Sequence, residues 1–263
     1  MSGEAELLVE RRADDVVVLT LNRLQARNTV SFRMWEEFGA ALTALENDSP
    51  ARAVVLRGAG GYFSNGGDVK TGPARGDGAL ALAKRLEMGQ RIIARLHALP
   101  VPTIAAVEGG AYGVSWSLAM ACDMIFAGAG AKFGAPFLGF GLVPDGGAAW
   151  FLTRQLGRLR ASEIIYSGRT LDAAEALSLG LVSRIVPDGQ VEDEALRLAE
   201  SIGEGNRHAV ELTKRLVAVS ETSDLAAAHA LELVYCHTCQ AGDEVKRARE
   251  AFIARAAARK AQG

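Results

Sequence analysis

The sequence predicts an α/β protein with a helical C-terminal region. Through the first two thirds of its 263 residues, strand-like runs such as "DVVVLTLN" alternate with helix-like segments and glycine-rich loops. After about Ser162, alanine, leucine, glutamate and arginine recur with helical periodicity around one β-like run, "LVSRIVP". We therefore expect a core domain over residues 1–198 and a helical region over residues 199–263.

The individual elements follow from local patterns. "ELLVERR" and "DVVVLTLN" predict a β-hairpin around Ala13 and Asp14, and "ARAVVLRG", "PTIAAVEGG" and "DMIFAG" predict further strands. Ser31 is a candidate N-cap for a helix whose apolar face carries Trp35, Phe38, Leu42 and Leu45. Residues 80–99 predict a long helix that ends at "LPVP". Small and apolar residues cover nearly all sides of "AYGVSWSLAMACD", which indicates an interior helix.

Charge and composition exclude several classes of partner. The formal net charge is -2, so no chain-wide positive field favours nucleic acid or an anionic membrane. The first residues lack the pattern of a secretory signal, and three cysteines cannot all pair within one chain, so we expect a cytoplasmic protein. "YCHTC" has no second cysteine pair, and we therefore predict no metal site.

Two glycine-rich loops, "SNGGD" and "EGGAYG", each follow a predicted strand. Glycine lets the main chain approach a ligand and direct N–H groups at it, and the second loop also opens a helix. Together the loops can form an oxyanion hole, although turns use glycine as well. Neither loop matches a dinucleotide-binding or phosphate-loop motif.

Five blocks occur in an order that identifies a family. They are "LNRLQARNTVS", "GAGGYFSNGGDVK", "PTIAAVEGGAYGVSWSLAMACDMIFAG", "AKFGAPFLGFGLVPDGG" and "LDAAEALSLGLVSRIVP". Over nearly its whole length the chain resembles the crotonase, or enoyl-CoA hydratase/isomerase, superfamily. The resemblance implies a spiral of ββα units with a helical trimerisation region, and assembly as a homotrimer or a dimer of trimers. It also implies an acyl-CoA thioester as ligand, with coenzyme A as part of the substrate and no permanently bound cofactor.

The resemblance assigns roles to residues of both loops. It implies that the main-chain N–H groups of Gly67 and Val114 hold the thioester oxygen. Val114 stands where the family usually has glycine, and Gly113 is the alternative donor. The resemblance further implies contacts with coenzyme A from Gln25, Ala26, Arg27, Asn65, Gly67, Asp68 and Val69.

The two glutamates with which hydratases of this superfamily activate water are replaced here. By position the first is Ser117 and the second is Phe137, and neither can act as acid or base unaided at neutral pH. Asp145, in "GLVPDGG", resembles an aspartate used by several non-hydratase members. The expected acyl pocket around it contains Trp116, Ser117, Phe137 and Phe140.

Three functions are open at this level. The leading hypothesis is an enoyl-CoA isomerase in which Asp145 moves a proton, since an apolar pocket raises the pKa of a carboxyl group towards neutrality. A second uses Asp145 as nucleophile or water-activating base in a hydrolytic or dehalogenating reaction. A third is an acyl-CoA binding protein without catalysis, in which Asp145 only caps a helix that starts at Gly146.

Overall fold

The computed structural model describes residues 4–47, 50–70, 81–203 and 206–261. The chain divides into two units, Met1–Gly203 and Glu204–Gly263. The predicted boundary after residue 198 lies inside a helix that continues to Gly203. The first unit ends where that helix ends.

Most strands of the first unit belong to a six-stranded sheet. In chain order they are β1 (Leu7–Arg11), β2 (Val16–Leu21), β3 (Ala53–Gly58), β4 (Thr103–Val107), β6 (Met124–Gly128) and β9 (Arg184–Val186). The sheet order is β1-β2-β3-β4-β6-β9. β1 and β2 form the predicted antiparallel hairpin, and the other neighbours pair in parallel.

A three-stranded sheet combines β5 (Gly110–Tyr112), β7 (Lys132–Gly134) and β8 (Thr170–Asp172). Sequence reasoning treated "PTIAAVEGG" as one strand, whereas the structure ends β4 at Val107 and begins β5 at Gly110. Gly109 between them has a φ of 65°, which favours glycine and interrupts an extended strand. The chain thereby passes from the larger sheet to the smaller one.

Six of the described helices belong to the first unit. They are α1 (Phe32–Asn47), α2 (Ala81–His97), α3 (Val114–Met120), α4 (Ala148–Ser167), α5 (Ala173–Ser178) and α6 (Val191–Gly203). α2 covers most of the predicted long helix, although residue 80 is outside the described residues. Every residue of α3 is buried, which confirms the prediction of an interior helix.

Two hydrophobic clusters cover the two faces of the large sheet. One contains the predicted apolar face of α1 together with α3 and side chains from the strands. The other packs alternate strand residues, such as Val16, Val55 and Ile104, against Val191 and Ala195 of α6. Successive side chains of a strand point to opposite faces of the sheet. Since each cluster contains one of these two sets of side chains, both faces of the central strands are apolar and buried.

The second unit contains α7 (Arg207–Ser220), α8 (Leu225–Gln240) and α9 (Asp243–Ala261). Apolar side chains of α8 and α9 are exposed in the single chain, among them Leu233, Phe252 and Ile253. Association of these helices with other copies of the chain stays a prediction.

Ser31 acts as the predicted N-cap of α1, because its Oγ accepts a hydrogen bond from the Met34 N–H at 3.0 Å. We expect Ser31→Ala to lower the free energy of unfolding by about 1 kcal/mol, the usual cost of losing such a cap. Asn47→Ala, at the exposed last residue of α1, is the control and should change it by less than about 0.5 kcal/mol. Urea unfolding measures both. Equal losses would contradict the capping role.

Candidate active site

The two glycine-rich loops lie side by side, held by main-chain hydrogen bonds at Ser64. The Ser64 N–H donates to Gly110 O at 3.0 Å, and the Tyr112 N–H donates to Ser64 O at 3.2 Å. The Oγ of Ser115 also donates to Ser64 O, at 2.8 Å. Ser64 thus connects the first loop to β5 and to the start of α3.

The loops approach so closely that only glycine fits at one position. Gly66 has a φ of 96°, and a Cβ atom there would lie 2.7 Å from the main-chain oxygen of Tyr112. Gly67 is less constrained, since a Cβ atom would be 3.8 Å from Cγ1 of Val114. This places Gly67 beside Val114, as an oxyanion hole made by both loops requires.

The N–H groups of Gly67 and Val114 both lack a hydrogen-bond acceptor within the described residues. Val114 is the first residue of α3, so its N–H has no acceptor inside the helix. The alternative donor, Gly113, is already engaged because its N–H donates to Gly134 O at 2.9 Å. The predicted pair of donors is therefore available, and the alternative is not.

Asp145 directly precedes Gly146, whose Cβ position lies 2.9 Å from Val114 Cγ2, and it does not cap a helix. α4 begins at Ala148, and no side chain caps it. Oδ1 of Asp145 is buried without a hydrogen-bond partner among the described residues. Burial raises the pKa of this carboxyl group, and the positive charge of Arg85 partly opposes that rise. A carboxyl group with a raised pKa and a free oxygen is suited to proton transfer.

The wall beside Asp145 consists of α2 and α3. A Cβ atom on Gly146 would lie 2.8 Å from Ile93 Cδ1, 2.9 Å from Val114 Cγ2 and 3.0 Å from Ser117 Cβ. The Oγ of Ser117 donates a hydrogen bond to the main-chain oxygen of Asp145 at 3.2 Å. Ser117 therefore supports the main chain from which the carboxyl group projects.

The four predicted pocket residues have different surroundings. Ser117 is buried below Asp145, and the ring of Phe137 lies 3.7 Å from the Cβ position of Gly113. Trp116, by contrast, is only 1% exposed and packs in the core, with its ring centroid 5.8 Å from that of Phe133. Phe140 ends a short 3-10 helix and is 66% exposed. The structure thus brings Ser117 and Phe137 to the loops and places Trp116 in the core.

The residues expected to contact coenzyme A lie along the first loop and the segment before α1. Gln25 and Ala26 belong to the 3-10 turn Leu24–Ala26. The Asn65 N–H donates to Arg27 O at 3.1 Å, which joins the two segments. The Arg27 guanidinium lies 5.5 Å from the centroid of the Tyr62 ring.

The end of the first loop exposes an apolar side chain above a buried ion pair. Val69 is 71% exposed. The buried Asp68 pairs with Arg23 at 2.9 Å, so its carboxylate supports the loop.

Two supporting residues were not found by sequence reasoning. Asn28 is buried with a φ of 54°, and its amide donates to Ala59 O at 2.9 Å and to Tyr62 O at 2.6 Å. Asparagine tolerates this left-handed conformation, which was the available signal. Arg85 donates from Nη2 to Asp68 O at 2.9 Å, a contact that no local pattern indicates.

Neither a metal cluster nor a membrane helix was found in the described ranges. There, no group of three or more His, Cys, Asp or Glu residues can hold a metal ion. No helix in the same ranges is long and apolar enough to cross a membrane.

Comparison with known proteins shows the family to which the chain is similar. Residues 11–261 match the family model described as enoyl-CoA hydratase/isomerase. A probable enoyl-CoA hydratase of Rhizobium meliloti is 37% identical over 95% of both chains. A short-chain-enoyl-CoA hydratase of Clostridium acetobutylicum is 31% identical over 95% of both. The crystal structure of an enoyl-CoA hydratase from Bacillus anthracis superposes with a TM-score of 0.89, at 29% identity over 95% of this chain and 96% of the other.

The chain therefore belongs to the enoyl-CoA hydratase/isomerase family. The predicted crotonase fold with a helical C-terminal region is confirmed. The protein is an acyl-CoA-processing enzyme of this family.

Gly146 tests how tightly the site is packed. Gly146→Ala places a methyl group against Ile93, Val114 and Ser117 at a φ of 58°, so we expect a loss of about 2–4 kcal/mol in the free energy of unfolding. The control is Gly180→Ala. Gly180 has a φ of 76°, but no atom lies within 4 Å of its Cβ position, so this variant measures the backbone strain alone. We expect it to lose about 1 kcal/mol in the free energy of unfolding. Chemical denaturation gives both values. Equal losses would mean that the wall is loosely packed.

The raised pKa of Asp145 predicts that replacing this residue with the neutral asparagine increases the free energy of unfolding, by an amount that depends on pH. Because the native carboxyl group holds its proton more tightly than the unfolded one, its stabilising effect is present at low pH and is lost as pH rises through the native pKa. Asp145→Asn should therefore be more stable than the parent at about pH 8, with a smaller difference at about pH 4.5.

Urea unfolding at both pH values checks this expectation. Asp193→Asn, at an exposed position on α6, controls for the loss of one surface charge. A stability difference for Asp145→Asn that does not depend on pH would contradict a raised native pKa.

Proposed function

We propose that the enzyme isomerises enoyl-CoA thioesters by proton transfer through Asp145. The observation that carries the proposal is the buried Oδ1 of Asp145, which has no hydrogen-bond partner among the described residues. The next residue, Gly146, packs against Val114 of α3. In a 3-enoyl-CoA the protons to be removed are on the α-carbon, next to the thioester carbonyl. A single carboxyl group that lies beside the oxyanion hole suffices for this chemistry.

The proposed reaction has two balanced steps. The Asp145 carboxylate takes a proton from the α-carbon, and the electron pair of that C–H bond delocalises onto the thioester oxygen. The N–H groups of Gly67 and Val114 stabilise this enolate, each contributing about 3 kcal/mol. The Asp145 carboxyl group then returns the proton to the γ-carbon, and the product is the conjugated 2-enoyl-CoA.

The residues around Asp145 favour isomerisation over hydration. Hydration needs a base for water and an acid for the α-carbon, and Ser117 and Phe137 occupy the positions where the family resemblance places these two groups. Ser117 is engaged with the main chain of Asp145. Asp68, on the first loop, is paired with Arg23. Neither supplies a second acid or base beside Asp145.

We also propose that the segment before α1 and the first loop hold the coenzyme A portion. The hydrogen bond between Asn65 and Arg27 supports this role because it brings the two segments together. The residues involved would be Gln25, Ala26, Arg27, Asn65, Gly67, Asp68 and Val69. Coenzyme A remains joined to the acyl group through both steps of the proposed reaction.

Asp145→Asn tests the proposed acid/base group. We expect the variant to bind acyl-CoA with unchanged affinity and to lose at least about a hundredfold in double-bond migration, since general acid–base groups contribute roughly 10²–10⁴-fold. Proton NMR of a 3-enoyl-CoA in deuterated water follows the migration and the uptake of deuterium at the α- and γ-carbons. Asp193→Asn should retain the parent rate.

The same measurement distinguishes the other functions. Unchanged turnover by Asp145→Asn would exclude Asp145 as the acid/base group. Exchange at the α-carbon without migration, in the parent enzyme, would indicate that the enolate forms but belongs to another reaction. Acyl-CoA binding with neither exchange nor migration would favour the hydrolytic or dehalogenating reaction, or binding alone.

A further inference from the structure

Arg85 is a cation attached to the loop that carries Gly67. It lies near the start of α2 and donates from Nη2 to the main-chain oxygen of Asp68 at 2.9 Å. Asp68 is itself held in place, because its N–H donates to Val30 O at 3.0 Å and its carboxylate pairs with Arg23 at 2.9 Å. The position of the guanidinium is therefore tied to the first loop.

The guanidinium also lies close to the proposed oxyanion donors. A Cβ atom on Gly67 would be 3.6 Å from Nη2 of Arg85 and 3.8 Å from Cγ1 of Val114. Arg85 and Val114 thus approach the same point beside Gly67 from two helices, α2 and α3. An enolate oxygen bound by the two N–H groups would form next to this positive charge.

The charge of Arg85 acts on Asp145 as well. It lowers the pKa of the Asp145 carboxyl group, against the larger effect of burial, which raises it. Other ionisable groups on the neighbouring helices have different contacts. On α2, Arg91 pairs with Glu87 and Arg95 with Glu46. On α4, Glu163 pairs with Arg169. On α4, Arg154 lies over the Trp150 ring, and on α2, His97 stacks against Trp150 and Phe151.

Asp68 on the first loop is paired with Arg23 at 2.9 Å. Two further elements beside Asp145 carry no ionisable side chain. They are α3, with the sequence "VSWSLAM", and the short helix Pro136–Phe140, with "PFLGF". Among the described residues, Arg85 is the charged group that acts on the carboxyl group of Asp145.

We propose that Arg85 is a positioning residue that stabilises negative charge on both sides of the proton transfer. This inference rests on the proposed function. Before the transfer the charge is on Asp145, and after it the charge is on the thioester oxygen, while the proton has moved from the α-carbon to Asp145. A fixed cation near both places favours the ionised base and the enolate, and it does not itself exchange a proton because arginine stays protonated.

The test compares Arg85→Gln, Arg85→Lys and the control Arg91→Gln. Arg91 is exposed on the same helix and pairs with Glu87. We expect Arg85→Gln to slow α-carbon exchange by about tenfold, less than the roughly 10²–10³-fold typical of a lost oxyanion donor. In the pH profile of kcat/KM for Arg85→Gln, the acid limb should move to higher pH. Without the cation the pKa of Asp145 rises, so the carboxylate form appears only at higher pH.

Arg85→Lys should restore most of the rate and move the acid limb back, because lysine keeps the charge. Arg91→Gln should match the parent in both respects. The dissociation constant of a non-reactive acyl-CoA analogue, measured for each variant, should stay within about threefold of the parent value, since each variant keeps the main-chain donors. An acid limb that does not move in Arg85→Gln, or no recovery in Arg85→Lys, would overturn the role of Arg85.

These outcomes are separable from failure of the proposed function. If the parent enzyme catalyses α-carbon exchange and only the Arg85 variants behave unexpectedly, the inference about Arg85 is wrong and the function stands. If the parent exchanges no α-proton, the proposed function fails first. A lower rate in Arg85→Gln with an unchanged acid limb would assign Arg85 a purely structural role.

Discussion

The close approach of the two glycine-rich loops at Ser64 is the contact on which the site depends. Ser64 accepts and donates main-chain hydrogen bonds to the second loop, and Gly66 touches the oxygen of Tyr112 so closely that no side chain fits. This contact brings Gly67 beside Val114, the two residues whose N–H groups we propose as the oxyanion donors. The donors belong to the backbone, so a valine at position 114 keeps the N–H that an oxyanion hole requires.

A second constraint comes from the polar network below the first loop. Arg23 pairs with Asp68, and the buried amide of Asn28 donates to two main-chain oxygens. Removing one partner of such a network leaves a buried polar group unpaired, which is costly. The loop is therefore held by buried contacts, whereas Oδ1 of Asp145 is buried without a hydrogen-bond partner among the residues that the structure describes. Buried polar contacts fix the support, and the carboxyl group of Asp145 is left for the proposed proton transfer.

Sequence reasoning succeeded where a local pattern has a single physical solution. The β-branched runs formed the hairpin of β1 and β2, and the small apolar residues of α3 formed an interior helix. The alternative in which Asp145 only caps a helix places the start of α4 at Gly146, whereas the helix begins at Ala148. Gly146 and Gly147 both have positive φ values, 58° and 84°, so the right-handed helix cannot begin before them.

The sequence by itself determined the family, the two loops and the candidate Asp145, because these depend on residue types at fixed spacings. Only the tertiary structure decided that Gly113 is engaged with Gly134, that Asp145 does not cap α4, and that Trp116 packs in the core. It also revealed Arg85, 17 residues along the chain from the Asp68 oxygen that it contacts. Each of these depends on which groups from distant segments meet, and no local pattern contains that information.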